Sequence, residues 1–240
     1  MEIPLHPACR LLKADPSGLL AVDKAEGILS HPNPGQGKAA AILELDYDGV
    51  AEAYVDGDHR WYLLNRLDGP TSGVILMADN AELARAVKEA FARHTVEKTY
   101  AAVIRGFPPR RKDRWRDCLK VVKRKGTLRT AVIPGRPNAE TSLELLDRGS
   151  GPPARSLVSL HPKTGRTHQL RVQCAHRRLP IIGDATYGDF SFNRDFRQKT
   201  GLGRLFLHSW KTSLKVRVGH RTVAFSVESP LPEAFAVALQ

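Results

Sequence analysis

Apolar residues fall along this chain in short runs separated by turn-forming residues, and most of the runs are only long enough for a strand. Gly18–Asp23, Trp61–Leu64, Val74–Met77, Lys98–Arg105, Thr141–Leu146, Arg155–Leu160, Leu205–Leu207, Leu214–Val218 and Thr222–Val227 are read as strands. Helical spacing is clearest from Asp79 to near Arg93, where Leu83, Val87, Ala90 and Phe91 share one face. Asp79 with Glu82 has the form of a capping box at its start. Shorter helices are expected over Ala39–Leu45, over His168–Arg177 with Thr167 as N-cap, and over Pro232–Leu239. Lys24–Gly37 is a loop broken by Gly27, Pro32, Pro34, Gly35 and Gly37, and Ile181–Asn193 is another. Asp46–Asp58 is acidic and turn-prone, and residues 1–17, interrupted by Pro4, Pro7 and Pro16, form a lead-in. Strands and helices mix without a regular βαβ rhythm, which places the chain in the α+β class.

Two polar stretches interrupt this pattern. Between Trp61–Leu64 and Val74–Met77 lie Asn65, Arg66, Asp68, Gly69, Pro70, Thr71, Ser72 and Gly73. Gly69-Pro70 and Ser72-Gly73 are turn dipeptides, so a carboxylate and a guanidinium ride on a tight turn between core strands. Catalytic groups are often mounted this way. The plainer reading is an ordinary β-turn with a surface ion pair. The second stretch is His161–His176, where Pro162 and Gly165 turn the chain. Lys163, Arg166, His168 and Arg171 crowd the expected helix N-terminus, whose backbone N–H groups already favour anions. Such a cluster suits a phosphate backbone or an essential carboxylate.

Charge sharpens this picture. The 240 residues include 37 Lys and Arg against 25 Asp and Glu, a net charge of +12, which favours a polyanionic partner. The excess is densest from 105 to 136, where Arg105, Arg110, Arg111, Lys112, Arg114, Arg116, Lys120, Lys123, Arg124, Lys125, Arg129 and Arg136 meet only Asp113 and Asp117 within the segment. An RNA-facing insert is favoured there over a merely solvated surface. Trp115 is read as its anchor to the core rather than as a base-stacking ring. No apolar run approaches the roughly 18 residues that span a bilayer. Met1–Lys13 lacks a continuous apolar stretch, so no secretory signal is expected. Three scattered cysteines, Cys9, Cys118 and Cys174, point to reduced thiols and a cytoplasmic setting.

Together the two stretches resemble the RluA-type pseudouridine synthase family, whose signature is (His)-Arg-Leu-Asp-x-x-Thr-Ser-Gly followed by Thr-Gly-Arg-x-His-Gln-(Ile/Leu)-Arg. Here they stand as Asn65-Arg66-Leu67-Asp68-Gly69-Pro70-Thr71-Ser72-Gly73 and Thr164-Gly165-Arg166-Thr167-His168-Gln169-Leu170-Arg171. Lys98-Thr99-Tyr100 and Gly183-Asp184-Ala185-Thr186-Tyr187-Gly188 are further matches in family order, and Asp23-Lys24-Ala25-Glu26-Gly27 with His31-Pro32 resembles an earlier family segment. Position 65 departs from the family, which usually has His there.

The resemblance implies an α+β pseudouridine synthase fold, a mostly antiparallel mixed sheet with flanking helices and loops around a central catalytic cleft. It implies one catalytic domain over 18–240, with the insert at about 105–136 and no S4-like RNA-binding domain. The reaction it implies detaches uracil from its ribose, rotates it and rejoins it through C5 in place of N1. Asp68 is then the nucleophile, acting on the sugar or on the base, and the residues alone leave that choice open. Arg171 is implied as its buried ion-pair partner, with a phosphate contact as the alternative. Tyr100 is implied to pack on the target base, and Leu170 to line the base pocket. A core tyrosine and a core leucine are the plainer readings. Arg66 is the family's candidate for filling the gap left by the flipped uridine. Lys163 and Arg166 hold phosphates, and Asn65, Thr71 and His168 complete the substrate-binding set. The partner is a ribosomal or transfer RNA stem-loop, and a monomer without cofactor, metal or membrane attachment is expected.

Other chemistries fit less well. His168, Cys174 and His176 are poorly spaced for zinc and no Cys-x-x-Cys pair supports them. Asp184 or Asp189 could join Asp68 as the second carboxylate of a glycosidase, but so basic a chain suits RNA better than neutral sugar. No phosphate-binding P-loop motif occurs. The remaining alternative is a degenerate RNA-binding relative of the same fold, marked by Asn65.

Overall fold

The computed structural model describes residues 3–33, 37–124 and 126–240. Met1, Pro34, Gly35 and Lys125, used above as chain start, breakers and a cation, lie outside the described residues. In chain order the elements are β1 (Arg10–Ala14), β2 (Leu19–Lys24), β3 (Asp46–Asp48), β4 (Ala53–Asp56), β5 (His59–Leu63), β6 (Ser72–Ala78), α1 (Ala81–Ala92), β7 (Glu97–Arg105), β8 (Lys112–Arg124), β9 (Thr127–Ile133), β10 (Ala139–Arg148), β11 (Arg155–Pro162), α2 (Gln169–His176), α3 (Phe190–Thr200), β12 (Leu207–Val218), β13 (Arg221–Glu228) and α4 (Ala234–Val237). They form two compact units, one of residues 1–97 with 209–230, the other of 98–208 with 231–240.

The first unit is a sheet covered by α1. Strands run in the order β3, β4, β5, β6, β12, with β2 also on β6, β1 on β2 and β13 on β12. Period-two alternation puts Leu19 and Ala21 of β2, Val74, Leu76 and Ala78 of β6, Leu214 and Val216 of β12, and Phe225 and Val227 of β13 into one core. Leu83, Ala84, Val87 and Ala90 of α1 close it at helical spacing. Each buried Val, Leu or Phe among them contributes about 1.5–3 kcal/mol. All seven residues of β6 are buried, so the strand leading out of the Asp68 turn is fixed on both faces.

The second unit is an antiparallel sheet ordered β7, β11, β10, β8, β9. Ala101–Ile104 of β7 are fully buried. Phe196 of α3, Phe206 and Phe235 of α4 meet edge to face at centroid distances of 5.7 and 5.5 Å. β8 and β9 form the hairpin that carries the basic segment. Trp115 is buried at its base, donating through Nε1 to Asp113 at 2.8 Å with the Arg177 guanidinium 4.6 Å from its ring centre, the anchoring role expected of it.

Several expected elements are corrected. The lead-in contains strand β1. The helix over Ala39–Leu45 is a single 3-10 turn, Lys38–Ala40, and the acidic Asp46–Asp58 segment holds β3 and β4. The cap of α1 is Asn80, which accepts from the Leu83 N–H at 2.9 Å. Asp79 is engaged at the Gly18 turn, where a Cβ on Gly18 would lie 1.7 Å from its Oδ1. Leu205–Leu207 and Leu214–Val218 belong to one approach and one long strand, β12. Part of the Ile181–Asn193 loop is the start of α3, capped by Asp189, which accepts from the Phe192 N–H at 2.9 Å.

Candidate active site

Asp68 sits half-buried at the start of a tight turn, its carbonyl accepting from the Thr71 N–H at 2.9 Å. The residues on either side of it are held from elsewhere in the first unit. Ser30 Oγ accepts from the Leu67 N–H and donates to the Leu67 carbonyl, both at 2.9 Å. The Gly69 carbonyl accepts from the Gly27 N–H at 2.9 Å and from Lys24 Nζ at 3.0 Å. Lys24 is fully buried, and its ammonium also donates to the carbonyls of Ala25 and Ile28, at 2.8 and 2.6 Å. A buried ammonium is tolerated because these carbonyls replace its water. Thr71 and Ser72 are buried behind the turn.

Asn65 carries a structural bond, its Oδ1 accepting from the Leu76 N–H at 2.8 Å beside the Leu64 N–H to Leu76 carbonyl bond at 3.0 Å. The side chain continues the β5–β6 ladder past the point where the backbones diverge. Arg66 is exposed, with Nη1 3.5 Å from His31 Nε2. Gly73 has φ +107°, and a Cβ there would lie 2.2 Å from the Ser209 carbonyl oxygen. Only glycine lets β6 leave the turn against β12.

In the second unit the cationic cluster surrounds α2. The residue before the helix is His168, in the left-handed conformation at φ 55°, so Thr167 is not the cap. No side chain caps the helix, and Gln169 instead ties the preceding turn to β10. Its Oε1 accepts from Thr164 Oγ1 at 2.8 Å and from the Arg166 N–H at 3.1 Å, while Nε2 donates to the Glu140 carbonyl and to Thr141 Oγ1. One turn on, buried Gln173 accepts from Thr141 Oγ1 at 2.7 Å and donates to Asp117 at 2.6 Å. α2 thus buries Gln169 and Gln173 with hydrogen-bond partners on β8 and β10, beside the apolar Leu170, Val172 and Cys174.

Arg171 is 5% exposed and pairs with the 1% exposed Asp184, Nε and Nη2 each donating at 2.8 Å. Burial works to raise the Asp184 carboxyl, but Arg171 and the N–H groups of Tyr187 and Thr186 outweigh it and hold it below its ordinary value. His168 Nδ1 is 2.8 Å from the Tyr187 hydroxyl, which accepts from the Thr130 N–H at 3.1 Å, and the Arg171 guanidinium lies 5.3 Å from the Tyr187 ring centre. The fourth motif therefore serves as the mount for Arg171 and His168. Tyr100 is half-buried on β7, opposite Leu160. Nearby in sequence, burial depresses the Lys98 ammonium, which donates to the Thr164 carbonyl at 3.5 Å. Leu170 is buried, Lys163 and Arg166 are exposed, and Arg166 Nε donates to the Asn138 carbonyl at 3.1 Å.

Sequence reasoning gave no supporting role to Ser30, Gln169, Gln173 or Tyr187; it quoted Asp184 as a motif member and weighed Asp184 and Asp189 as possible second carboxylates. Both are engaged. Asp184 clamps Arg171, and Asp189 caps α3 while pairing with Arg105. Gln169, Asp184 and Tyr187 stood inside the quoted motifs, whereas Ser30, Gln173 and Asp189 lay outside them.

The family model described as RNA pseudouridylate synthase matches residues 18–176. The tRNA pseudouridine synthase C of Vibrio cholerae is 34% identical over 200 residues, 80% of this chain and 79% of that one. Its namesake from Haemophilus ducreyi is 41% identical over 201 residues, 80% and 79% of the two chains. The solved structure of human RNA Pseudouridylate Synthase Domain Containing 1 superposes with a TM-score of 0.70 at 22% identity, over 99% of this chain and 90% of that one, and shares the fold. The motifs, the α+β sheet architecture and these likenesses agree, and the chain belongs to the RluA-type RNA pseudouridine synthase family, isomerases that act on the uridines of RNA.

Proposed function

We propose that the chain converts a uridine of transfer RNA to pseudouridine with Asp68 as the nucleophile. The observation that carries the role of Asp68 is its turn. Leu67 and Gly69 are each fixed by two hydrogen bonds from other segments, so a half-buried carboxylate is presented without freedom to wander. Positioning of this kind lowers the entropic cost of reaching the reactive geometry. In the reaction the N1–C1′ bond breaks, a C5–C1′ bond forms, N1 gains a proton and C5 loses one to solvent. Tyr100 and Arg171 complete the catalytic set on the motif resemblance, and the clamp on Arg171 keeps its guanidinium in one orientation.

Transfer RNA is chosen over ribosomal RNA because the relatives with the quoted identities are named for it. Arg66, Lys163 and Arg166 are exposed cations suited to phosphates or to the gap left by a flipped base. The β8–β9 hairpin adds Lys120 and Lys123, also exposed. Asn65, Thr71, His168 and Leu170 complete the substrate-binding set on the motif resemblance. We place the protein in the cytoplasm as a cofactor-free monomer, in keeping with its three free thiols; no helix among the described residues is long and apolar enough to cross a membrane.

The test is tritium release from unmodified transfer RNA labelled at uridine C5, with ribosomal RNA in parallel. Release from transfer RNA by the intact protein, abolished in Asp68→Asn, is the expected result. Release from ribosomal RNA alone overturns the substrate, and undiminished release by Asp68→Asn overturns the nucleophile.

A further inference from the structure

His31 and Tyr47 stack with ring centroids 4.9 Å apart and planes 11° from parallel. Tyr47 lies on β3 directly opposite Tyr54 of β4, whose ring meets it edge to face at 5.0 Å. Tyr54 is fully buried and donates to the Ser30 carbonyl at 2.7 Å, so it fixes Tyr47 from within the fold. The same Ser30 holds Leu67 through its hydroxyl. The stack is therefore built on the residue that also holds the Asp68 turn, and the exposed Arg66 guanidinium stands 3.5 Å from His31.

Both stacked rings are half-buried, not sealed in the core. They line an open groove of about 600 Å³ together with Pro32, Leu45 and the exposed pair Lys38–Asp46. An aromatic pair held rigid from below, open to solvent, and flanked by a guanidinium has the chemistry of a nucleobase platform. Unstacked bases of RNA are taken up on aromatic faces and guanidinium planes, with cations on the adjoining phosphates. A uridine drawn out to Asp68 leaves its strand neighbour without a stacking partner, which costs a few kcal/mol of unstacking.

We propose that the His31–Tyr47 groove is a stacking subsite for the nucleobase adjoining the target uridine in the RNA strand. This rests on the reading of Asp68 as the nucleophile of an RNA-modifying site, and goes beyond it by assigning a second nucleotide to named residues. Tyr47 and His31 supply the face, and Arg66 its edge.

The test compares His31→Leu and Tyr47→Leu, which keep apolar bulk but lose the aromatic face, with His31→Phe and Tyr47→Phe, which keep it. Binding of unmodified transfer RNA transcripts is measured first, alongside melting temperature. The Leu variants are expected to bind about tenfold more weakly, the share of one stacked base. The Phe variants are expected to retain what the Leu variants lose, and in turnover the loss falls on KM more than on kcat. If Tyr47→Leu melts early, the His31 pair decides. Next, 2-aminopurine is placed on either side of the uridine that the intact protein converts. Quenching on binding at one of the two positions, lost in the Leu variants, supports the subsite. Leu and Phe variants of equal affinity, or quenching that survives the Leu substitutions, overturn it. If the affinity difference holds while no uridine of transfer RNA is converted, the substrate reading fails and the stacking subsite stands.

Discussion

Gly73 and Asp184 show how the site depends on single atoms. At Gly73 an added methyl group would meet the Ser209 carbonyl at 2.2 Å in a backbone conformation of φ +107°. Strain and overpacking together predict that Gly73→Ala costs about 2–5 kcal/mol in urea unfolding. Gly27→Ala is the matched control, since its φ is +80° but nothing lies within 4 Å of the new Cβ; it is expected to cost about 1–2 kcal/mol. Equal losses would refute the close approach. At Asp184 the argument is electrostatic. Its folded carboxyl lies below the ordinary 3.8, so the ion pair stabilises the protein above that pH and ceases to do so as pH falls through the folded value. Asp184→Asn removes the carboxylate charge that holds the buried Arg171 guanidinium by two hydrogen bonds, and should lose about 3–5 kcal/mol at pH 7. The gap from the parent protein should narrow below pH 3.8. A gap that stays constant down to acid unfolding would assign the stability to hydrogen bonding alone. Both residues were visible in the sequence as motif members, but their partners were not, because Ser209 and Arg171 reach them through the fold and not through spacing.

At the level of elements, legibility followed the strength of the period. β6, β7, β11 and α1 carry dense apolar patterns, and their expected and observed limits agree to within a few residues. α3 escaped because only Phe196 of its eleven residues is buried, leaving almost no stripe to detect, although the Asp189 cap and Gly201 at φ +73° mark its two ends. The short strands β3 and β4 escaped because acidic and glycine residues crowd them. Yet Tyr47 and Tyr54, opposite each other across that pair, had the aromatic character that a strand tolerates. α2 was located correctly, but its start was misjudged, since the usual reading seeks a Ser, Thr, Asp or Asn cap. Here a left-handed His168 starts the helix with no side-chain cap, and Gln169 holds the turn before it. Gln169 and Gln173, at a spacing of four on α2, resemble a solvent-facing pattern in the sequence; only the tertiary partners Thr141, Glu140 and Asp117 reverse it.

Across the whole chain the net charge of +12 pointed to a polyanion, and the fold distributes that charge unevenly. The base of the β8–β9 hairpin is largely neutralised by β10, with Lys112 on Glu144 at 3.3 Å and Arg114 on Glu140 at 2.6 Å. Counting acids within 105–136 alone missed this, because those carboxylates arrive from another strand. Lys120 and Lys123 lie further along β8, and both are exposed. They are therefore better probes of RNA contact than Lys112, whose reversal would set two carboxylates against each other. If each meets a phosphate, Lys120→Glu with Lys123→Glu should weaken RNA binding at low salt. The slope of log affinity against log salt should then become shallower by about 1.4–1.8, two contacts at 0.7–0.9 each. Binding is measured at several salt concentrations on unmodified transfer RNA, with Asp68→Asn as a reference that keeps every surface cation. A slope equal to that of the reference would remove the hairpin from the RNA interface and leave Arg66, Lys163 and Arg166 to carry the electrostatic contact.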